Sequence, residues 1–369
     1  MKRLKVERAS LAGAIASAVL IACVAVESRA DFARVVERVA SGEFEERNAE
    51  GRIVETRPDA VVLETADGSK LEIPSERALW LQFDAAPPEL AAARVELEVG
   101  ACEAALEKLD KIEESETTGE ENALIAAEIE WTRLRALMQM ALDGTEPSFS
   151  KAGKAATAFV NARANHYRRN DAFAMLGSAF LAMSREGKDP EKNLARAKSA
   201  YEKLTSSSSK TVRARGTVGL AELASERHEN AEALKLYGEV AGDETLCEEF
   251  GGLEIWVDAR LGLARVATEE GRYEEALSAL TELLASTPNA ATLRQARTYN
   301  ALGSTNARAG RTEEAIVAYL HVDLLYPSAR SERIEALKAL VPLWRAVGRE
   351  DRAEETRARL KERFGVEVE

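Results

Sequence analysis

Histidine and cysteine are almost missing from this chain, with three of each among 369 residues. His166, His228 and His321 lie far apart. None has a second histidine at metal-ligand spacing and none sits in a zinc-protease motif, so the sequence offers no metal set and these side chains are structural or on the surface. Cys102 and Cys247 are too distant in a linear array to meet, and they read as one buried small hydrophobe and one loop thiol. There is no glycine-rich phosphate loop and no nucleophile elbow. Two Ser-x-x-Lys strings occur, Ser148 to Lys151 and Ser207 to Lys210, without the companion motifs that make such a serine a nucleophile. No catalytic residue and no cofactor is therefore assigned. Aromatic residues make up only 5% and proline only nine positions, which leaves room for long, closely packed helices. Positive charge is also short: the net charge of -13 argues against wrapping nucleic acid.

The first thirty residues differ from the rest. Lys2, Arg3, Lys5 and Arg8 make a basic start, and Leu11 to Val26 then run without a charge. Ser28 and Ala30 supply a small-x-small exit, so residues 1–30 read as a signal peptide cleaved before Asp31, and the protein as exported, periplasmic or secreted. Two alternatives stay open. Leu20-Ile21-Ala22-Cys23 resembles a bacterial lipobox, which would lipidate Cys23, and an uncut segment would act as a membrane anchor, although it is short of the roughly 20 residues a span needs. A membrane enters only through one of these two routes.

Residues 31–84 have the texture of a small β module. Arg52 to Thr56 and Val61 to Thr65 are β-branched runs separated by Arg57-Pro58-Asp59. Asp67-Gly68 is a hairpin signal, Leu71-Glu72-Ile73 alternates, and Ala78 to Phe83 supplies a last strand, with Val35, Val36 and Val39 in the first. Four or five short strands predict a rolled sheet or small barrel. The order Gly51-x-Ile53, Val61-x-Leu63, Gly68 and Ile73-Pro74 resembles the SH3-like or Sm-like modules near the start of secreted bacterial repeat proteins. Such a module either caps the helical array or binds a glycan or peptide.

From residue 85 to 369 the pattern is helical and it recurs. Gly271-Arg272-Tyr273-Glu274-Glu275-Ala276 is echoed by Gly310-Arg311-Thr312-Glu313-Glu314-Ala315 and by Gly348-Arg349-Glu350-Asp351-Arg352-Ala353, with Gly100 to Ala105 keeping the same step. Ala315 is followed by Tyr319, Val322 and Pro327, Ala276 by Leu280, Leu283 and Pro288, Ala233 by Tyr237 and Val240, and Ala197 by Tyr201 and Leu204. Tyr299, Leu302, Gly303, Gly310, Ala315, Tyr319 and Pro327 together resemble the tetratricopeptide repeat signature position for position. The unit at 257–290 fits it well; those at 170–207, 214–247 and 334–365 fit in part, the third-last of these with a longer turn at Gly187-Lys188-Asp189-Pro190; those near 88–118 and 121–168 are degenerate. The predicted fold is thus mainly α: a tetratricopeptide-like solenoid of six or seven antiparallel helix pairs, preceded by a small β-barrel-like module. The charged helix from Asp351 to Phe364 reads as its polar end cap.

The resemblance also implies a function. First helices of such arrays line a concave face, and the corresponding positions here are Asp258, Arg265 and Glu269, then Arg297, Asn300, Ser304 and Arg308, then Lys338 and Arg345. Together they make a mixed groove suited to an extended or helical peptide. The Lys and Asn clamp of chaperone-tail binders is not matched. The chain is similar to secreted bacterial tetratricopeptide proteins that scaffold envelope or extracellular complexes, so the expected partner is a protein or peptide. The alternatives are an outer-membrane lipoprotein of an assembly complex, and a cell-wall enzyme or binding module using the β region.

Overall fold

The computed structural model describes residues 31–39, 43–112, 120–144, 148–187, 189–286 and 292–368. Residues 1–30, expected from the sequence to be a signal peptide and containing Cys23, lie outside them, as do Lys188 and Pro288. Six strands come first: β1 (Phe32–Arg38), β2 (Phe44–Glu50), β3 (Arg52–Thr56), β4 (Ala60–Glu64), β5 (Lys70–Pro74) and β6 (Ala78–Gln82). They form two antiparallel three-stranded sheets, in the orders β2-β1-β6 and β3-β4-β5.

One strand more is present than the sequence showed. β2 reads FEERNAE and has no apolar alternation, so nothing in its own residues marks it. It forms because β1 offers a full edge, pairing from Phe32 opposite Glu50 to Arg38 opposite Phe44. Cross-strand charges support the pairing: Arg34 lies 3.0 Å from Glu46, and Arg47 3.1 Å from Glu37. The carboxylate of Asp31 then ties the two ends of the region together, accepting from the amides of Ile53 at 3.1 Å and Asp84 at 3.0 Å.

Fourteen helices follow among the described residues, in consecutive antiparallel pairs. The first three pairs are α1 (Pro88–Glu98) with α2 (Cys102–Leu109), α3 (Glu120–Leu142) with α4 (Phe149–Ala162), and α5 (Arg169–Arg185) with α6 (Pro190–Thr205). Then come α7 (Lys210–Glu226) with α8 (Asn230–Ala241), and α9 (Gly252–Glu269) with α10 (Tyr273–Ser286). The last are α11 (Thr292–Arg308) with α12 (Thr312–Leu325), and α13 (Arg330–Ala346) with α14 (Glu350–Phe364).

The repeat signature has a steric cause. The recurring alanines, Ala105, Ala197, Ala233, Ala276, Ala315 and Ala353, are all fully buried at the helix crossings. The tyrosine four later lies flat against a glycine on a first helix. A Cβ on Gly262 would come within 2.3 Å of the Tyr237 ring, and one on Gly303 within 2.7 Å of Tyr319. Tyr201 fills two such hollows, those of Gly177 in its own pair and Gly219 in the next, so one ring binds neighbouring pairs together. Between helices the chain turns through a left-handed residue: Gly271 and Gly310 both sit at φ 77°. In the fourth pair His228 holds that turn position at φ 58°.

Two sets of contacts depart from a simple linear stack. The core of the sheets is completed by Ile125 of α3 and by Tyr167. Around it Thr56 Oγ1 donates to the Asn165 carbonyl at 3.0 Å, Asn170 to the Pro58 carbonyl at 3.0 Å and Arg94 to the Leu81 carbonyl at 2.8 Å. The β1–β2 hairpin reaches further along the array, where Phe44 stands edge-on to Phe250 at 5.4 Å, beside the short turn Glu244–Glu248 that carries Cys247. At the other side the end of α3 meets the start of α13. Asp143 accepts from Arg330 at 3.0 Å and from Ser331 at 2.8 Å, and Gln139 reaches Ser331 at 3.2 Å. The curved array therefore closes on itself.

Candidate binding groove

The first helices α7, α9, α11 and α13 stand side by side and enclose a cavity of about 360 Å³. Seven of the residues singled out from the sequence line it: Asp258, Arg265, Glu269, Arg297, Asn300, Ser304 and Arg308. Lys338 does not line it; its Nζ lies toward α3, 3.6 Å from where a side chain on Gly144 would begin. Arg345 turns the other way, to Glu350 at 3.3 Å and Glu354 at 3.8 Å on α14.

Repeat register explains most of these placements, although Lys338 falls on the register of Asn300 and still turns toward α3. Gly271, Gly310 and Gly348 set steps of 39 and 38 residues, and the same steps carry Asp258 onto Arg297 and Arg297 onto Glu335. Arg345 falls one position off the register of Arg308, which turns it about 100° around a helix of 3.6 residues per turn. The sequence reading missed Glu222, Glu332 and Glu335, which also line the cavity. For Glu335 the register was the available signal.

Within the cavity Arg297 is ion-paired with Asp258, and Arg265 donates to the Tyr237 hydroxyl at 2.7 Å. Asn300, only 3% exposed, donates through Nδ2 to the carbonyl of Glu332 at 3.0 Å, while its Oδ1 is buried without a partner. Burial pushes the carboxyl of Asp258 above its ordinary range, and Arg297 beside it pulls it part of the way back. Glu222, Glu332 and Glu335 are likewise raised, first by burial; Glu332 adds a like charge beside Glu335. The site can hold a polar, extended ligand and offers it more acceptors than donors.

A second polar cluster lies where the sheets meet the helices. Glu128, 1% exposed, is bonded to Arg94 and stands 3.2 Å from Nε2 of His166. His166 Nδ1 accepts from the Arg168 amide at 3.1 Å, so the proton is on Nε2 and points at Glu128. Arg168 donates to the Ala78 carbonyl at 2.6 Å and pairs with Asp171 at 2.9 Å. Burial works against the Glu128 anion, but His166, Arg94 and Arg168 outweigh it and hold its pKa below the ordinary range. Most of the strong donors here are satisfied by the protein's own groups, Arg168 Nε being a buried exception, and the cluster acts as a joint. His321 is also accounted for locally: it stacks on Tyr299 at 4.7 Å and uses its Nδ1 against the Val317 carbonyl. Of the Ser-x-x-Lys lysines, Lys210 is bound to Asp243 at 2.8 Å.

No protein-family model matches this chain, and no curated protein does. Among solved structures it is similar to PilW, described as a widely conserved type IV pilus biogenesis factor, at 15% identity and a TM-score of 0.38, over 65% of this chain and 94% of that one. It is also similar to a Rap protein complexed with competence and sporulation factor, at 16% identity and a TM-score of 0.48, over 74% of this chain and 75% of that one. The fold described above rests on this chain's own helix pairing and glycine–tyrosine contacts.

Proposed function

We propose that the protein is a non-catalytic scaffold that holds an extended segment of a partner protein in the groove between α7 and α13. The observation that carries this reading is the convergence of Asp258, Arg265, Arg297 and Asn300, from two successive helix pairs, on one cavity that retains an unpartnered buried acceptor. Closure of the array favours such a role, because a groove held in shape before binding loses less entropy when it is filled. The basic and apolar start of the sequence supports export, so the scaffold is placed in the envelope or outside the cell, released after cleavage or tethered through Cys23 or an uncut anchor. Residues 31–84 serve in this reading as a cap and brace for the array.

Crosslinking pull-down from the native envelope tests it. Ser304→Trp fills the cavity from an exposed position, and Lys192→Glu changes an exposed residue on α6 as a control. A partner recovered with the wild type and the control but lost with Ser304→Trp supports the groove. A partner retained by Ser304→Trp moves the binding elsewhere.

A further inference from the structure

The first helices carry a ladder of alternating charge across the groove. Asp171 of α5 pairs with Arg215 of α7 at 2.5 Å, and Asp258 of α9 pairs with Arg297 of α11. Arg215, Asp258, Arg297 and Glu335 hold equivalent repeat positions on successive first helices, the steps being set by His228, Gly271, Gly310 and Gly348. The alternation therefore runs negative, positive, negative, positive, and ends on the negative Glu335 of α13. No further first helix follows among the described residues, and Glu335 has no ion pair there.

Acceptors crowd Glu335, although the charges of Arg297 and Lys338 also reach it. Glu332 lies one turn before it on the same helix, and Asn300 of α11, whose buried Oδ1 has no partner, lines the same cavity. The cations of the groove are engaged elsewhere. Arg297 is paired with Asp258, Arg265 is bonded to Tyr237 and flanked by Glu222 and Glu269, and Lys338 lies toward α3. Arg308 stands exposed at the C-terminal end of α11, about two turns beyond Asn300. In the cavity lining five carboxylates face three guanidinium groups.

We propose that this end of the groove receives a cationic side chain, a lysine or arginine of an extended partner segment, which continues the ladder by one step. The assignment rests on the groove reading above. A lysine ammonium has three donors and no acceptor, and it matches two carboxylates without an ion pair and an amide oxygen without a donor. The buried position of Asn300 makes the match selective, since an acidic or neutral side chain would leave its Oδ1 unpaired or oppose it with another acceptor.

Fluorescence anisotropy with three labelled twelve-residue peptides tests this, alike except that the spaced charged position is Lys, Glu or Ser. The Lys peptide is expected to bind the purified chain saturably, about tenfold more weakly after Glu332→Gln/Glu335→Gln, in the range of coupling between close charge pairs across an interface. Glu282→Gln/Glu362→Gln removes the same net charge from exposed outer positions and is expected to leave binding within about twofold, as screened surface charges do. An equal loss in both double variants, or no binding of the Lys peptide, overturns the proposal. If the Glu peptide binds and Ser304→Trp abolishes it, the groove stands and the cationic assignment fails. If Ser304→Trp alters no peptide, the groove reading itself fails.

Discussion

Asp143 closes the array, and removing it should open the superhelix without unfolding its pairs. The residue is 4% exposed and accepts three hydrogen bonds, from Gln139 at 3.0 Å, Ser331 at 2.8 Å and Arg330 at 3.0 Å. A hydrogen bond to a charged group contributes about 1.5–3 kcal/mol when buried. The Arg330 side chain is 38% exposed, however, so water screens that pair and its share falls to about 1 kcal/mol or less. In Asp143→Ala the guanidinium can rehydrate and Gln139 keeps Ser331, so only part of the sum is lost, leaving a net cost of about 2 kcal/mol. That shifts the open-to-closed ratio about thirtyfold, at about 1.4 kcal/mol per factor of ten.

The cost falls on closure because neighbouring pairs keep their own contacts, and solenoid stability is nearly a sum of nearest-neighbour interfaces. Small-angle scattering should show a larger radius of gyration for Asp143→Ala. Amide exchange should quicken at the start of α13 and the end of α3, with the middle pairs unchanged. Asp143→Asn keeps one acceptor oxygen and should fall between the two. Arg330 also lies over the Phe364 ring at 5.1 Å, so α14 should loosen with it. Scattering and exchange that match the wild type in Asp143→Ala would refute the reasoning, because the clasp would then contribute nothing to curvature.

Other perturbations have definite expected outcomes. Gly262→Ala drives a methyl into the Tyr237 ring and should cost about 1–3 kcal/mol in urea unfolding, whereas Gly238→Ala, with open space around it, should be neutral or gain about 0.5–1 kcal/mol. Glu335→Gln should raise the melting temperature at neutral pH. A carboxyl whose folded pKa is raised favours folding below its unfolded value and loses that advantage as pH rises through the folded value, so the gain should vanish in acid, and a constant gain at all pH would contradict the argument. Glu128 behaves oppositely: its folded pKa is lowered, so its contribution is present above the unfolded value and disappears as pH falls through the folded one. Glu128→Ala should cost about 3 kcal/mol near neutrality by leaving the largely buried Arg94 without its counter-charge, and chemical denaturation across acid pH checks both statements. Residues 31–84 expressed alone should show no cooperative melting transition, because Ile125 and Tyr167 complete the core of their sheets.

The helix pairs were legible in the sequence because their packing leaves few choices of residue. Backbones that approach closely accept only alanine or glycine, and Ala276 and Ala315 are accordingly buried to the last atom. β2 was not legible, since its stability comes from the edge of β1 and from charges on β1 and not from its own pattern. Most of the groove followed from repeat register, which marks Glu335 and sets Arg345 aside, but Lys338 shares the register of Asn300 and leaves the cavity only because its side chain turns toward α3. The Asp143 clasp is a different case. It joins residues almost two hundred positions apart, and the angle accumulated over five helix pairs decides whether they meet. No local pattern encodes that angle.

The uncompensated carboxylates of the groove and the two braces belong to one physical argument. Burial opposes charge on Glu222, Glu332 and Glu335, and Asn300 leaves an acceptor unpaired; each works against folding at neutral pH. A linear solenoid could relieve that repulsion by flexing, since each pair touches only its neighbours. Here the α3–α13 clasp on one side and the Phe44–Phe250 contact on the other oppose such flexing and keep the acceptors facing one cavity. A donor-bearing ligand that entered would find the electrostatic cost already borne by the folded chain, so its own binding would recover that energy without a compensating loss of order. The same reasoning links two measurements that would otherwise be independent. Opening the clasp with Asp143→Ala should weaken binding of the Lys peptide and at the same time reduce the stabilisation gained from Glu335→Gln, because a relaxed groove no longer confines the charge. A clasp variant that loses peptide binding while keeping the full Glu335→Gln gain would separate shape from electrostatics and break that link.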